Sequence, residues 1–154
     1  MEKTNVMRIL DQKKIPYSPR EYSPDIVEGV LIAETLNEDV KQVFKTLVTV
    51  ANTGVHFVFC VPVAETLDLK KAARAVGVKS IAMIKQKELL PLTGYIHGGC
   101  SPIGMKKPFK TTIHITAADL SSFYVSAGRV GKQICISPKS LADCTGAQFA
   151  DITV

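Results

Sequence analysis

The sequence predicts a mixed α/β fold, in which a mixed or partly closed, barrel-like β-sheet is surrounded by helices. Strand and helix signals alternate irregularly along the chain, which argues against a doubly wound parallel sheet. Two β-rich segments at 43–50 and 55–63 are separated by a short turn, which predicts a hairpin. The chain has 154 residues, 46% hydrophobic and 21% charged, so one domain over residues 1–154 is predicted.

The first half of the chain predicts two helices followed by the hairpin. Apolar spacing predicts an amphipathic helix over 4–13, with Thr4 as its cap. Two prolines then end this helix and lead into an extended segment around 20–22. A Ser-Pro-Asp turn opens a second predicted helix over 26–36. The hairpin follows, and residues 51–54 form its connection.

The second half predicts short strands alternating with helices. A helix is expected over 67–76, ended by Gly77. A polar helical turn near 85–91 precedes a glycine-rich segment, and Pro138 begins a final helix because its fixed φ suits a first turn. Short strands are predicted at 80–84, 111–115, 122–126 and 132–137, with a further edge strand at 149–154.

Composition excludes several functional classes. No apolar run approaches the roughly 20 residues of a membrane span, and the polar N-terminus lacks the pattern of a signal peptide, so a cytoplasmic protein without a membrane partner is expected. Four scattered cysteines and three scattered histidines fit no common metal site, and we expect neither a metal nor another cofactor. A disulfide framework is equally unexpected.

Basic residues are in modest excess, giving a net charge of +5. A solvated helix face explains any single cluster of them, whereas several clusters together suggest RNA or phosphate binding. The candidates for contact with RNA are Lys70, Lys71, Arg74, Lys106 and Lys107.

The most informative segment is the glycine loop, defined here as residues 94–107. Adjacent Gly98 and Gly99 let the backbone approach a ligand closely, and a Ser-Pro pair stiffens the turn. Backbone N–H groups followed by two lysines suit a phosphate or another oxygen ligand. An ordinary tight loop is the alternative.

Three further side chains are candidates for a catalytic or ligand-binding role. Lys45 lies within a β-rich run, where it either guards a sheet edge or points into a pocket. Ser126 stands where a strand enters a glycine turn, and it is either a ligand-binding or a turn-forming serine. Cys100 is a possible nucleophile, but a lone cysteine in a glycine loop is more often incidental.

These motifs, taken in order and spacing, resemble the YbaK/EbsC family of Cys-tRNA(Pro) deacylases, which is related to the editing domain of bacterial prolyl-tRNA synthetases. The resemblance covers essentially the whole chain. The segments that carry it are Val43–Leu47, Leu67–Lys71, Thr93–Gly104 and Tyr124–Ser126.

The resemblance implies a mixed barrel-like sheet and a site without cofactor or metal. It places the family's lysine at Lys45, beside Thr46, and its glycine-loop contact at Gly98 and Gly99. It assigns substrate binding to Thr46 and to further residues, which are Tyr22, Ser101, Pro102 and Ser126. The sequence departs from the family pattern at Ala127 and at Gln133, where some members carry glycine and an acidic residue respectively.

The activity implied is trans-editing, in which cysteine is removed from Cys-tRNA(Pro), and from Cys-tRNA(Cys) as a further substrate. In the family mechanism the thiol of the substrate attacks its own ester carbonyl, so proximity and backbone donors suffice. Aminoacyl-tRNA and prolyl-tRNA synthetase are the implied partners. Three alternatives remain: a non-catalytic tRNA- or synthetase-binding domain, a deacylase for another small amino acid such as alanine, and a hydrolase that uses Cys100.

Overall fold

A computed structural model of the chain describes residues 2–154. Within them lie five α-helices: α1 (Asn5–Gln12), α2 (Gly29–Thr35), α3 (Leu69–Val76), α4 (Gln86–Thr93) and α5 (Pro138–Thr145). The strands are β1 (Tyr17–Glu21), β2 (Phe44–Ala51), β3 (His56–Pro62), β4 (Ile81–Met83), β5 (Lys110–His114), β6 (Phe123–Arg129), β7 (Lys132–Ile136) and β8 (Gln148–Ala150). Short 3₁₀ turns at Val40–Gln42 and Ile115–Asp119 were not predicted from the sequence.

The strands of the described chain form two sheets. A three-stranded antiparallel sheet has the order β1-β7-β6, and a five-stranded sheet has the order β4-β2-β3-β5-β8. The larger sheet is mixed, because β2 is antiparallel to β3 and β4 while β3, β5 and β8 are parallel. A single bridge between Val43 and Tyr124 joins the two sheets. The predicted mixed sheet is confirmed, but it does not close into a barrel.

The predicted hairpin is confirmed, with β2 and β3 in antiparallel register and Lys45 opposite Val61. Its turn is closed by the Gly54 N–H, which donates to the Ala51 carbonyl oxygen at 2.9 Å. Gly54 has φ +88°, a value that a residue with a Cβ adopts only with strain. The hairpin fixes Lys45 near the start of β2, beside the bridge to the second sheet.

Capping explains where the helices begin. Thr4 caps α1 as predicted, and its Oγ1 accepts from the Met7 N–H at 3.3 Å. α3 begins at Leu69, later than predicted, because the Asp68 carboxylate accepts from the first N–H groups of the helix. α2 also begins later than predicted, at Gly29, because residues 23–26 form a separate turn.

Other boundaries differ from the predictions. The helical turn expected near 85–91 is a full helix, α4, that continues to Thr93. β6 runs on to Arg129 through a bulge after Ser126, whereas the sequence predicted its end there. The edge strand is confirmed only in part, because β8 covers Gln148–Ala150 and Thr153 forms an isolated bridge.

The core lies on both faces of the five-stranded sheet. On one face, α1 and the three-stranded sheet pack through buried residues such as Leu10, Phe123 and Ile134. On the other, α3 packs against Phe59 and Val61. The seam between the two sheets lies at the bridge between Val43 and Tyr124. Among residues 2–154, no helix has the length and apolar character needed to cross a lipid bilayer.

Candidate functional site

A cleft of about 360 Å³ opens at the seam between the two sheets. One wall is the start of β2 with the facing residues of β6 and β7, and the segment before α2 and the glycine loop form the others. Its lining includes Tyr22, Val27, Glu28, Lys45, Thr46, His97, Gly98, Cys100, Val125, Ser126 and Gln133. Four of the predicted substrate or catalytic positions on different elements thus meet beside Lys45.

Lys45 lines this cleft, as its interpretation as a pocket residue predicts. Its ammonium is half-buried, and Nζ is 3.5 Å from the Val63 carbonyl oxygen, a long hydrogen bond. Burial lowers the Lys45 pKa below its ordinary value of 10.5. The cleft therefore holds a weakly satisfied cation that can pair with an oxygen of a ligand.

The two adjacent glycines of the loop have different environments. Gly98 lines the cleft in a left-handed conformation, φ +86°. Gly99 is buried, and its N–H donates to the Ile96 carbonyl oxygen at 3.0 Å. The expectation that both N–H groups face a ligand is therefore corrected for Gly99. Within residues 2–154, the N–H groups of Gly98 and Cys100 have no such partner, and because both residues line the cleft they are candidate donors to a ligand.

Gly99 instead sets the position of the loop. A Cβ on this residue would lie 2.9 Å from the Val130 nitrogen and 3.1 Å from the Arg129 carbonyl carbon. Both are backbone atoms of the turn between β6 and β7, so the loop backbone touches this turn directly. Only glycine allows this approach.

Ser101 and Pro102, predicted to bind substrate, are buried and do not line the cleft. The Ser101 hydroxyl accepts from the Ile103 N–H at 3.3 Å, and the Tyr95 hydroxyl donates to the Ile103 carbonyl. Pro102 lines a second cavity, of about 460 Å³, between α1, the end of the loop and α5. These two residues therefore stabilise the glycine loop on the side that faces away from the cleft.

The remaining predicted substrate residues lie in the cleft. Tyr22 is fixed through its N–H, which donates to the Gly131 carbonyl at 3.0 Å, and burial raises the pKa of its hydroxyl. Thr46 Oγ1 is 3.9 Å from the Cys60 sulfur. The Ser126 hydroxyl accepts from the Gly128 N–H at 3.2 Å, so it both closes a turn and faces the cleft.

Cys100 lines the cleft, although its sequence context suggested an incidental residue. The residue is 9% exposed, and its burial raises the pKa of the thiol to about 12. At neutral pH the sulfur is protonated and is a poor nucleophile. The structure gives Cys100 a place in the wall of the cleft without activating it.

Sequence reasoning missed an acidic group behind the cleft. The Glu38 side chain is 0% exposed, and its Oε2 lies 3.1 Å from the Arg20 guanidinium. Burial raises the pKa of this carboxyl, while Gln133 and Arg20 oppose the shift. Arg20, Gln133 and Ser126 stand side by side on β1, β7 and β6. The pairing of these strands, which the sequence alone did not reveal, brings Arg20 and its partner Glu38 close to the cleft residues Gln133 and Ser126.

The five candidate RNA-binding residues lie outside the cleft. Four of them are exposed, and the fifth is held in an ion pair. Lys70 and Arg74 are exposed on α3, and Lys106 and Lys107 are exposed at the end of the glycine loop. Lys107 also lines the second cavity, with Lys13 and Lys110. Lys71 instead holds the C-terminal segment, since its Nζ lies 3.1 Å from the Asp151 carboxylate and 2.9 Å from the Thr153 carbonyl oxygen.

The site is suited to a small acyl group rather than to a bound metal. No group of three or more His, Cys, Asp or Glu side chains in residues 2–154 is arranged to hold a metal ion. The cleft combines the Lys45 ammonium, the Glu28 carboxylate, the His97 ring, two backbone donors and short apolar side chains such as Val27 and Val125. Such donors can stabilise an oxyanion that develops on a carbonyl group.

Similarity to known proteins extends over most of the chain. A family profile described as “Aminoacyl-tRNA editing domain” matches residues 24–144. EbsC of Enterococcus faecalis, named as a candidate Cys-tRNA(Pro)/Cys-tRNA(Cys) deacylase, is 45% identical over 154 residues, which cover 99% of this chain and 94% of EbsC.

Two crystal structures have the same fold. One is described as a candidate trans-editing enzyme for prolyl-tRNA synthetase; it has a TM-score of 0.82 and 25% identity over 99% of both chains. The other, hypothetical protein APE2540, has a TM-score of 0.90 and covers 98% of this chain and 100% of its own. At 20% identity, the second likeness concerns the fold alone.

Proposed function

Because the chain belongs to the aminoacyl-tRNA editing domain family, we propose that it is a trans-editing deacylase that removes cysteine from Cys-tRNA(Pro), and from Cys-tRNA(Cys). One structural observation carries the proposal: Lys45, Gly98, Ser126 and Tyr22, from four separate segments, line a single cleft of about 360 Å³. This volume falls within the range of small-ligand pockets, about 300–1,000 Å³. The 45% identity to EbsC over nearly the whole chain supports the choice of substrate.

The chemistry proposed needs no nucleophile from the protein. The sulfur of the bound cysteinyl group attacks its own ester carbonyl carbon, and the bond from that carbon to the ribose oxygen breaks. The thiol proton is transferred to the ribose oxygen, which leaves as the hydroxyl of free tRNA, and the cysteine leaves as a cyclic thiolactone. Holding thiol and carbonyl together can lower such a barrier by up to about 7–11 kcal/mol. The protonated state of the Cys100 thiol agrees with a mechanism in which the substrate, and not the protein, supplies the nucleophile.

Five residues of the cleft have a role in this scheme. The Gly98 and Cys100 N–H groups stabilise the oxyanion on the former carbonyl. The Lys45 ammonium binds the terminal ribose or its phosphate and stabilises the departing oxygen. Tyr22 and Ser126 line the part of the cleft that is left for the amino acid.

Recognition of the rest of the tRNA is assigned to exposed lysines and to a partner. Lys70, Arg74, Lys106 and Lys107 are free to contact phosphates, whereas Lys71 is held by Asp151. A net charge of +5 is modest for a protein that reads tRNA alone. We therefore assign selection of the tRNA in part to prolyl-tRNA synthetase, in a complex that presents the aminoacyl end.

The test is loss of labelled ester from Cys-, Ala-, Ser- and Pro-tRNA(Pro), with and without prolyl-tRNA synthetase. The protein is compared with Lys45→Met and with Lys139→Met, a control on an exposed lysine of α5. We expect turnover of Cys-tRNA(Pro), a loss of about 10²–10³-fold for Lys45→Met, and no loss for the control. Binding of tRNA without turnover would instead identify a non-catalytic binding domain, and preferred turnover of Ala-tRNA(Pro) would change the substrate.

A further inference from the structure

The wall of the cleft formed by the three-stranded sheet carries an unusual row of polar side chains. Arg20, Gln133 and Ser126 are directly opposite one another on β1, β7 and β6, so their side chains share a face. Ser126 and Gln133 line the cleft, and Arg20 lies one strand further away. The row leads from the cleft to a charged group behind it.

That charged group is Glu38, which follows α2 and whose side chain is 0% exposed. Arg20 holds this segment on the sheet, because one guanidinium nitrogen lies 3.1 Å from Glu38 Oε2 and the other donates to the Leu36 carbonyl oxygen at 3.1 Å. Burial raises the Glu38 pKa, and the ion pair with Arg20 opposes that rise. Its alignment is poor, however, and neither Glu38 oxygen accepts a hydrogen bond within residues 2–154.

Gln133 is the second unsatisfied group in this row. It is 4% exposed, and its Oε1 has no hydrogen-bond donor within residues 2–154. An unpaired buried acceptor costs about 1–3 kcal/mol, which a ligand donor can recover. Gln133 lies opposite Arg20, the partner of Glu38, and it also lines the cleft. Its unpaired oxygen is therefore the acceptor that this row offers to a ligand in the cleft.

We propose that Gln133 Oε1, backed by the Glu38 carboxylate, accepts a hydrogen bond from the α-ammonium group of the aminoacyl ester. This inference rests on the proposed function. An ammonium group has three donors and a positive charge, which match an unpaired acceptor beside a buried carboxylate. Two charged side chains line the same cleft, and the Lys45 ammonium repels the substrate's amino group whereas the Glu28 carboxylate attracts it. Gln133 is thus a residue that binds the substrate, and Glu38 is a positioning residue behind it.

The test uses two stable analogues of the terminal adenosine that differ only in the amino group. They are 3′-deoxy-3′-(L-cysteinylamino)adenosine and its 3-mercaptopropionyl counterpart. Binding is measured by calorimetry at about pH 6.5, where an α-amino group is largely charged. The proteins are the unmodified chain, Gln133→Met, Glu38→Gln and a control, Glu34→Gln, which removes an exposed carboxylate of α2.

We expect the unmodified chain and the control to bind the cysteinyl analogue about 10- to 100-fold more tightly than the counterpart without the amino group. Gln133→Met and Glu38→Gln should reduce this preference to less than about three-fold and leave binding of the counterpart unchanged. Glu38→Gln preserves side-chain size, so it serves if Gln133→Met does not fold.

Two results would overturn the inference: equal binding of both analogues by the unmodified chain, or equal weakening of both by Gln133→Met, as expected of a merely structural residue. Deacylation of Cys-tRNA(Pro) by the same preparation separates this failure from that of the proposed function. A protein that deacylates without preferring the amino group refutes the ammonium site alone. A protein that neither deacylates nor binds either analogue refutes both.

Discussion

Replacing Gly99 with alanine tests whether the glycine loop is positioned by direct backbone contact. The added Cβ would lie 2.9 Å from the Val130 nitrogen and 3.2 Å from the Arg129 Cα. These are backbone atoms that cannot rotate away, so we expect the usual cost of overpacking, about 1–3 kcal/mol. For a chain of this size, 1 kcal/mol shifts the melting temperature by about 2–4 °C, which gives a decrease of roughly 2–12 °C.

The matched control is Gly54→Ala. Unlike Gly99, Gly54 has a positive φ, +88°, and nothing lies within 4 Å of a Cβ built there. Its strain of about 1–2 kcal/mol is partly offset by the lower entropy of the unfolded chain, about 0.4–1 kcal/mol. Because Gly54 lies in the turn between β2 and β3 and not in the cleft, deacylation should be unchanged.

The assays are thermal unfolding by circular dichroism and the kcat/KM for Cys-tRNA(Pro). Displacement of the loop by about 1 Å misplaces the Gly98 and Cys100 donors and should lower kcat/KM by up to about 10²-fold in Gly99→Ala. The reasoning fails if Gly99→Ala matches Gly54→Ala in both melting temperature and activity. A loss of stability without loss of activity would show that the contact holds the fold but not the site.

Three further predictions concern single side chains. Cys100→Ser should keep activity within about three-fold of the unmodified chain, since the buried thiol is protonated; a loss above about 100-fold would restore the nucleophile hypothesis. Lys71→Met should destabilise the fold more at neutral pH than at about pH 2, because Lys71 lowers the Asp151 pKa, and this stabilisation is lost as the pH falls through that value; an equal deficit in urea unfolding at both pH values contradicts this. Lys107→Gln should lower the salt slope of tRNA binding by about 1, with Lys139→Gln unchanged; an unaltered slope removes Lys107 from the interface.

Local signals in the sequence predicted much of the fold. Thr4 and Gly77 mark helix ends in the structure as they do in the sequence, because capping depends on neighbouring residues. The β2–β3 hairpin was likewise readable from its short turn. The failure of the sheets to close was not, because closure depends on pairings between strands far apart in the chain.

The site was predicted less completely, for a related reason. Lys45 and Gly98 were found because their residue types are unusual in their local context. Glu38 lies in an Asn-Glu-Asp segment, a composition typical of solvent-exposed turns. In the structure its side chain is buried beside Arg20, which is distant in sequence. Lys71 resembles an exposed basic residue in the sequence, whereas in the structure it forms an ion pair with Asp151. Long-range pairing gives these side chains their roles.

The most direct test of the central claim is the dependence of the reaction on the thiol of the substrate. Single-turnover deacylation is measured for Cys-tRNA(Pro) and Ser-tRNA(Pro), which differ by one atom, at saturating protein. If the substrate sulfur is the nucleophile, Cys-tRNA(Pro) should react at least about 100-fold faster, and cysteine thiolactone should be trapped as the first product. Equal rates for the two substrates, with free amino acid as the first product, would contradict the account.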